Sequence, residues 1–125
     1  MLAVLLVALG GGLGAAARFC VSQAMPMRGD GWPVVTFLIN VTGSFALGLL
    51  AGWLATRGDG GEPWRLFLGV GVLGGFTTFS AYSLETMRMI ERGDWLSAST
   101  YALGSVLAGL AAVALGLVVA KRILG

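Results

Sequence analysis

Residues 95–120 read WLSASTYALGSVLAGLAAVALGLVVA, a run without one charged side chain. A membrane-spanning helix needs about 20 mostly apolar residues, and this run exceeds that. Working outward, Leu2–Ala24, Pro33–Thr56 and Leu66–Met87 are also long enough. Only Arg18 and Glu85 place a charge inside these four stretches. The other charges bunch at Arg28/Asp30, Arg57–Arg65, Arg88–Asp94 and Lys121/Arg122, where connections and a tail belong. The chain has 125 residues, 57% hydrophobic and 11% charged, against about a quarter charged in soluble domains. The pattern predicts a single all-α transmembrane domain over residues 1–125, with approximate spans 2–25, 33–56, 64–90 and 95–122 and no soluble domain.

Composition also excludes chemistries. With no histidine and one cysteine, Cys20, the chain lacks the means for a His/Cys metal site, histidine acid–base catalysis or an internal disulfide. Cys20 reads as a small packing residue. The net charge of +2 is spread over several loops and makes no case for nucleic acid. The first apolar segment is expected to stay as helix one rather than be cleaved as a leader, because a leader opens with basic residues and the first positive side chain here is Arg18.

Helix one ends at Pro26, and Met27–Trp32 forms a short connection. Pro33 falls in the first turn of helix two, where no backbone donor is needed. Arg57–Pro63 reads as a turn. Glu91–Asp94 closes helix three, and Trp95 opens helix four at the depth tryptophan favours, as Trp32 and Trp64 do at their helix starts. Short connections make neighbouring helices antiparallel. The 21 glycines include the pairs Gly10/Gly14, Gly48/Gly52, Gly71/Gly75, Ser105/Gly109 and Ala112/Gly116, small residues that let helix backbones touch in lipid. Four short spans enclose little volume, so a polar path is more easily built between two copies.

Orientation is weakly encoded. One side carries Arg57, Arg65, Lys121 and Arg122, the other Arg28, Arg88 and Arg92. Four against three gives the positive-inside rule almost nothing to act on. The chain is therefore either oriented by other means or inserts both ways, as an antiparallel dual-topology dimer.

Polar chemistry concentrates in Gly69–Glu85, GVGVLGGFTTFSAYSLE. Gly71, Gly74 and Gly75 weaken the helix, and Thr77, Thr78, Ser80 and Ser83 bring hydroxyls to membrane depth. Helix three is expected to break near its middle, since freed backbone at that depth is tolerated only where it lines a cavity or holds an ion. Exposed carbonyls there suit a small hard cation such as sodium. Phe76 and Phe79 are three apart and fall on one side of a helix, and their ring edges are electropositive; plain packing is the competing reading. Asn40 needs partners in lipid, and its amide offers two donors. Thr36 and Ser44, four residues to either side, extend that polar face, and Tyr101 and Ser105 repeat the pattern on helix four. Arg18 either faces water or anchors carbonyls. Glu85, near Arg88 and Arg92, reads alternatively as a helix-end ion pair. Hydroxyls, an amide and aromatic edges suit a small anion that is dehydrated yet held loosely. No paired carboxylates, nucleophile–base pair or phosphate loop is present, so the chain is not expected to be an enzyme.

Three motifs sharpen this. Gly10-Gly11-Gly12-Leu13-Gly14 with Arg18, Asn40-Val41-Thr42-Gly43-Ser44-Phe45, and Gly74-Gly75-Phe76-Thr77-Thr78-Phe79-Ser80 with Glu85 stand in order. In these the chain closely resembles the Fluc (CrcB) family of fluoride channels, over nearly its whole length. The resemblance implies an antiparallel homodimer in a bacterial plasma or inner membrane, with two fluoride pores at the subunit interface. It implies that Phe76 and Phe79 line the pores by their edges, Asn40 donates to the anion, and Thr78, Ser80, Tyr101 and Ser105 form a polar track. The carbonyls of Gly74 and Thr77 would hold a structural sodium ion at the dimer centre, and Arg18 would sit in a vestibule. Ala81-Tyr82 departs from the Thr-Phe found in many members, so no hydroxyl is available at position 81. The implied role is export of fluoride that enters as neutral HF and ionises in the cytoplasm. A small multidrug-resistance transporter is the rival, but it needs a carboxylate in helix one, where this chain has only Arg18. A non-transporting assembly protein accounts for the glycines and leaves Asn40, Arg18 and Thr77–Ser80 without a purpose.

Overall fold

The computed structural model describes residues 1–25 and 31–124; most of the Met27–Trp32 connection and the helix-one end at Pro26 lie outside them. In lipid a backbone must satisfy its own polar groups, which favours helices. Among the described residues four helical stretches are long and apolar enough to cross a membrane: Leu2–Ala24, Val34–Leu54, Gly58–Glu91 and Trp95–Leu124.

Helices α1 (Leu2–Ala24) and α2 (Val34–Leu54) are uninterrupted. Pro33 is the residue before α2, one position earlier than the first turn, and its carbonyl accepts from the Phe37 N–H at 3.1 Å. The third stretch is composite. A 3-10 turn, Gly58–Gly61, leads into the short α3 (Glu62–Trp64), a π-helical segment at Arg65–Leu73, α4 (Gly74–Phe76) and α5 (Phe79–Glu91). Between α4 and α5 the backbone is extended, with Thr77 at φ −79°, ψ 158° and Thr78 at φ −148°, ψ 119°. After α5, Gly93 adopts φ 76°, a turn geometry costly for other residues. Helix α6 (Trp95–Leu124) then starts with the Ser97 N–H donating to Asp94 Oδ1 at 3.3 Å.

Packing follows the small residues. Helix α1 lies on the π-helical segment and α4, and α2 lies along α6. A Cβ at Gly14 would run into the Val72 carbonyl and come within 2.8 Å of the Phe76 nitrogen. One at Gly48 would strike the Val113 carbonyl and sit 3.1 Å from Gly116 Cα. Backbone therefore meets backbone in both pairs, the contact on which helix association in lipid relies. The buried side-chain core is small: Met89, Ala98 and Tyr101, with Trp32, Phe37, Tyr82 and Ile90 packed around it. Trp32 packs on this core, its Nε1 donating to Thr100 Oγ1 at 3.3 Å.

Candidate functional site

The extended pair Thr77–Thr78 needs partners that a helix would have supplied, and α2 provides them. Asn40 Nδ2 donates to the Thr78 carbonyl at 3.0 Å, and Asn40 Oδ1 accepts the Thr78 N–H at 2.8 Å. Thr78 in turn caps α5, its Oγ1 accepting the Ala81 N–H at 3.2 Å. Two donors have been redirected: a continuous helix would aim the Thr78 and Ala81 N–H groups at the carbonyls of Gly74 and Thr77. Those two carbonyls are thereby released from their helical partners. Backbone oxygens of this kind fit a hard cation such as sodium, and among the described residues no cluster of His, Cys, Asp or Glu competes for a metal.

Beside the extended pair lies an open cavity of about 310 Å³ lined by Asn40, Ser44, Gly74, Thr77, Thr78, Phe79, Tyr82 and Ser105 among apolar neighbours. None of the lining residues is charged. Among the described residues Ser105 Oγ is buried and has no hydrogen-bond partner, so none of them takes its proton. Phe79 is 78% exposed.

Other residues singled out by the sequence lie outside this lining. Phe76 is partly buried, its ring edge and the Thr77 methyl lying over Gly43, where a Cβ would overlap the methyl. The helical spacing that put Phe76 and Phe79 on one side does not apply, because two extended residues separate them. Ser80 is exposed, its hydroxyl 3.3 Å from Thr78 Oγ1. Arg18 Nε donates to the Gly75 carbonyl at 3.2 Å, the carbonyl-anchoring alternative, and so ties α1 to α4. Among the described residues Glu85 makes no ion pair; it accepts from Thr36 Oγ1 at 3.0 Å and, weakly, from the buried Tyr101 hydroxyl at 3.5 Å. The one ion pair among the described residues joins Arg65 and Glu62 at 2.8 Å. Two roles escaped the sequence reading: Gly43 as the seat of the Thr77 methyl, and Tyr82, whose hydroxyl donates to the Ala102 carbonyl at 2.8 Å. A phenol at membrane depth was the visible signal for the second.

Against known proteins, the family model described as CrcB-like protein, Camphor Resistance (CrcB), matches residues 5–117. The chain belongs to this family. Among CrcB-like relatives, a Caulobacter protein named fluoride-specific ion channel FluC is 53% identical over 125 residues, covering 98% of each chain. One of the same name from Phenylobacterium zucineum is 55% identical over 125 residues, again 98% of each. One from Methylobacterium nodulans is 49% identical over 122 residues and 98% of each. With four helices of spanning length and bacterial channels as relatives, this CrcB-like chain is a multi-pass bacterial membrane protein.

Proposed function

We propose that the chain is a fluoride-selective channel, not an enzyme, through which cytoplasmic fluoride leaves the cell passively. The observation that carries the reading is the uncharged cavity beside Thr77–Thr78, lined by an amide, hydroxyls and an aromatic ring, in a chain about half identical to proteins named fluoride-specific ion channels. A small anion entering it loses water and gains the Ser105 proton, the Thr78 and Ser44 hydroxyls and the electropositive rim of Phe79. These contacts replace hydration without a full charge to trap the ion. The absence of any acid in α1 argues against a proton-coupled exchanger with its carboxylate there.

The working unit is an antiparallel dual-topology homodimer, with the pores where two copies meet. The near-even charge count and a cavity left open by one chain support it. The break in the third span serves both path and ion. Carbonyls of Gly74 and Thr77 from both copies would hold one sodium ion, which supplies a fixed positive charge at the dimer centre. Fluoride and chloride efflux from liposomes holding the purified protein test the proposal. Fluoride is expected to leave far faster than chloride, with no need of a pH gradient. Equal chloride flux, or strict dependence on a pH gradient, overturns it.

A further inference from the structure

An exposed ring keeps one orientation only when something packs its face. Phe79 is 78% exposed, and among the described residues its aromatic neighbour is Tyr82, at a centroid distance of 5.5 Å and an interplanar angle of 38°. The two stand three apart on α5, where side chains share a face. Tyr82 is itself fixed from two directions. Its hydroxyl donates to the Ala102 carbonyl on α6 at 2.8 Å. Its ring lies 5.3 Å from that of Tyr101 at 42°, and Tyr101 has 0% exposure. Tyr101 then meets Trp32 edge-on at 5.2 Å. A ladder of rings runs from the buried core to the cavity, and Tyr82 is the rung between Tyr101 and Phe79. Tyr82 lines the cavity too, but a phenol has a single proton, and Ala102 takes it. It therefore has no donor left for a passing anion.

We infer that Tyr82 is a positioning residue for Phe79: its ring sets the angle at which the Phe79 edge meets the cavity, and its hydroxyl ties that setting to α6. The inference rests on the fluoride-channel reading. The tie joins α5 to the part of α6 that carries Ser105, so ring edge and hydroxyl are held at a constant separation across the path.

Fluoride efflux per assembled protein in liposomes, together with the Phe79 rotamer from experimental structures of the variants, tests this. Tyr82→Phe keeps the ring contact and loses only the tie, and efflux should fall about twofold with Phe79 in place. Tyr82→Leu removes the supporting face; efflux should fall by about tenfold, with Phe79 turned to another rotamer and an unchanged elution volume. Wild-type efflux from Tyr82→Leu, or an unmoved Phe79, overturns the inference while leaving the channel reading intact. So does a loss of yield without a loss of rate per assembled protein, the mark of a merely structural tyrosine. Should Tyr82→Leu fail to assemble, Tyr82→Met, which keeps bulk without a flat face, decides on the same readouts. Wild-type protein that passes no fluoride overturns both proposals at once.

Discussion

Asn40 holds Thr78 by both ends of one amide, donating to its carbonyl at 3.0 Å and accepting its N–H at 2.8 Å. The residue with the fullest anion-donor inventory in the second span thus spends half of it on backbone. One N–H of the amide remains for an occupant of the cavity.

Removing that amide should undo the extended pair. In Asn40→Ala, two backbone groups at membrane depth lose their partner, at about 1–3 kcal/mol for each group left bare. Fluoride efflux is expected to fall by about tenfold or more, with reduced recovery of assembled protein on size-exclusion chromatography. Asn40→Asp should also stop conduction, because an ionised carboxylate loses the donor to Thr78 and puts a like charge beside the anion. Near-normal efflux from either variant contradicts the double role.

Phe79 offers a clean separation of packing from anion contact. At 78% exposure it contributes little to the single chain's interior, so Phe79→Leu should cost less than about 1.5 kcal/mol of stability. Its fluoride efflux should nevertheless collapse, while Phe79→Met, with a polarizable side chain, retains part of it. Efflux and elution profile are measured for each; normal transport by Phe79→Leu returns the ring to filler.

Gly14 and Gly12 form a matched pair two residues apart on α1. An added Cβ meets nothing within 4 Å at Gly12, whereas at Gly14 it collides with the Val72 carbonyl. Gly14→Ala should destabilise by about 1–3 kcal/mol or more and lower the folded yield. Gly12→Ala should match the wild type. Thermal unfolding in detergent distinguishes them, and equal midpoints refute the close approach.

The proposed sodium site predicts an asymmetry between side chain and backbone. Thr77 Oγ1 already donates to the Leu73 carbonyl at 2.9 Å, so Thr77→Val should leave sodium dependence unchanged. At Gly74 a Cβ meets only the Gly69 carbonyl at 3.6 Å within the chain. Loss of function in Gly74→Ala, which adds that Cβ alone, would therefore report on something outside the described residues of the single chain, the ion or the second copy. Replacing sodium by a bulky organic cation should weaken activity or assembly by mass action. Full activity at every sodium concentration, with no cation in an experimental structure, rules the site out.

Orientation can be tipped by charge. Tags at the C-terminus should be accessible from both faces of the membrane in comparable amounts. Two lysines added between residues 27 and 32 should bias insertion and abolish activity of the biased protein alone, with an oppositely biased copy restoring it. A single orientation with full activity in the unmodified protein contradicts dual topology.

The four spans were legible because lipid imposes a crude rule: charge is excluded and each crossing has a minimum length. The glycine pairs were legible for a similar reason, since Gly10, Gly14, Gly48 and Gly52 leave few uses other than close approach. The site was less so. Asn40 stands out in the sequence as an amide at membrane depth, but its grip on Thr78 joins residues 38 positions apart, which no local period reveals. The spacing of Phe76 and Phe79 carries no information about their sides, because a helical rule does not run across the extended residues between them. Glu85 beside Arg88 resembled an ion pair, yet Thr36 from another helix holds its carboxylate. The π-helical winding at Arg65–Leu73 had no marker in the sequence beyond its glycines.

The glycine contacts at Gly14 and Gly48 have a calorimetric consequence. Assembly of α1 on the π-helical segment and of α2 on α6 brings main chain against main chain, while large apolar side chains such as Leu107 and Leu110 stay outside at 67% and 65% exposure. Separating the helices within a bilayer then hydrates almost no hydrocarbon. The heat-capacity increment of unfolding and the steepness of a urea titration both scale with surface newly wetted. Both should be small for a chain of this length, even where the packed state is durable.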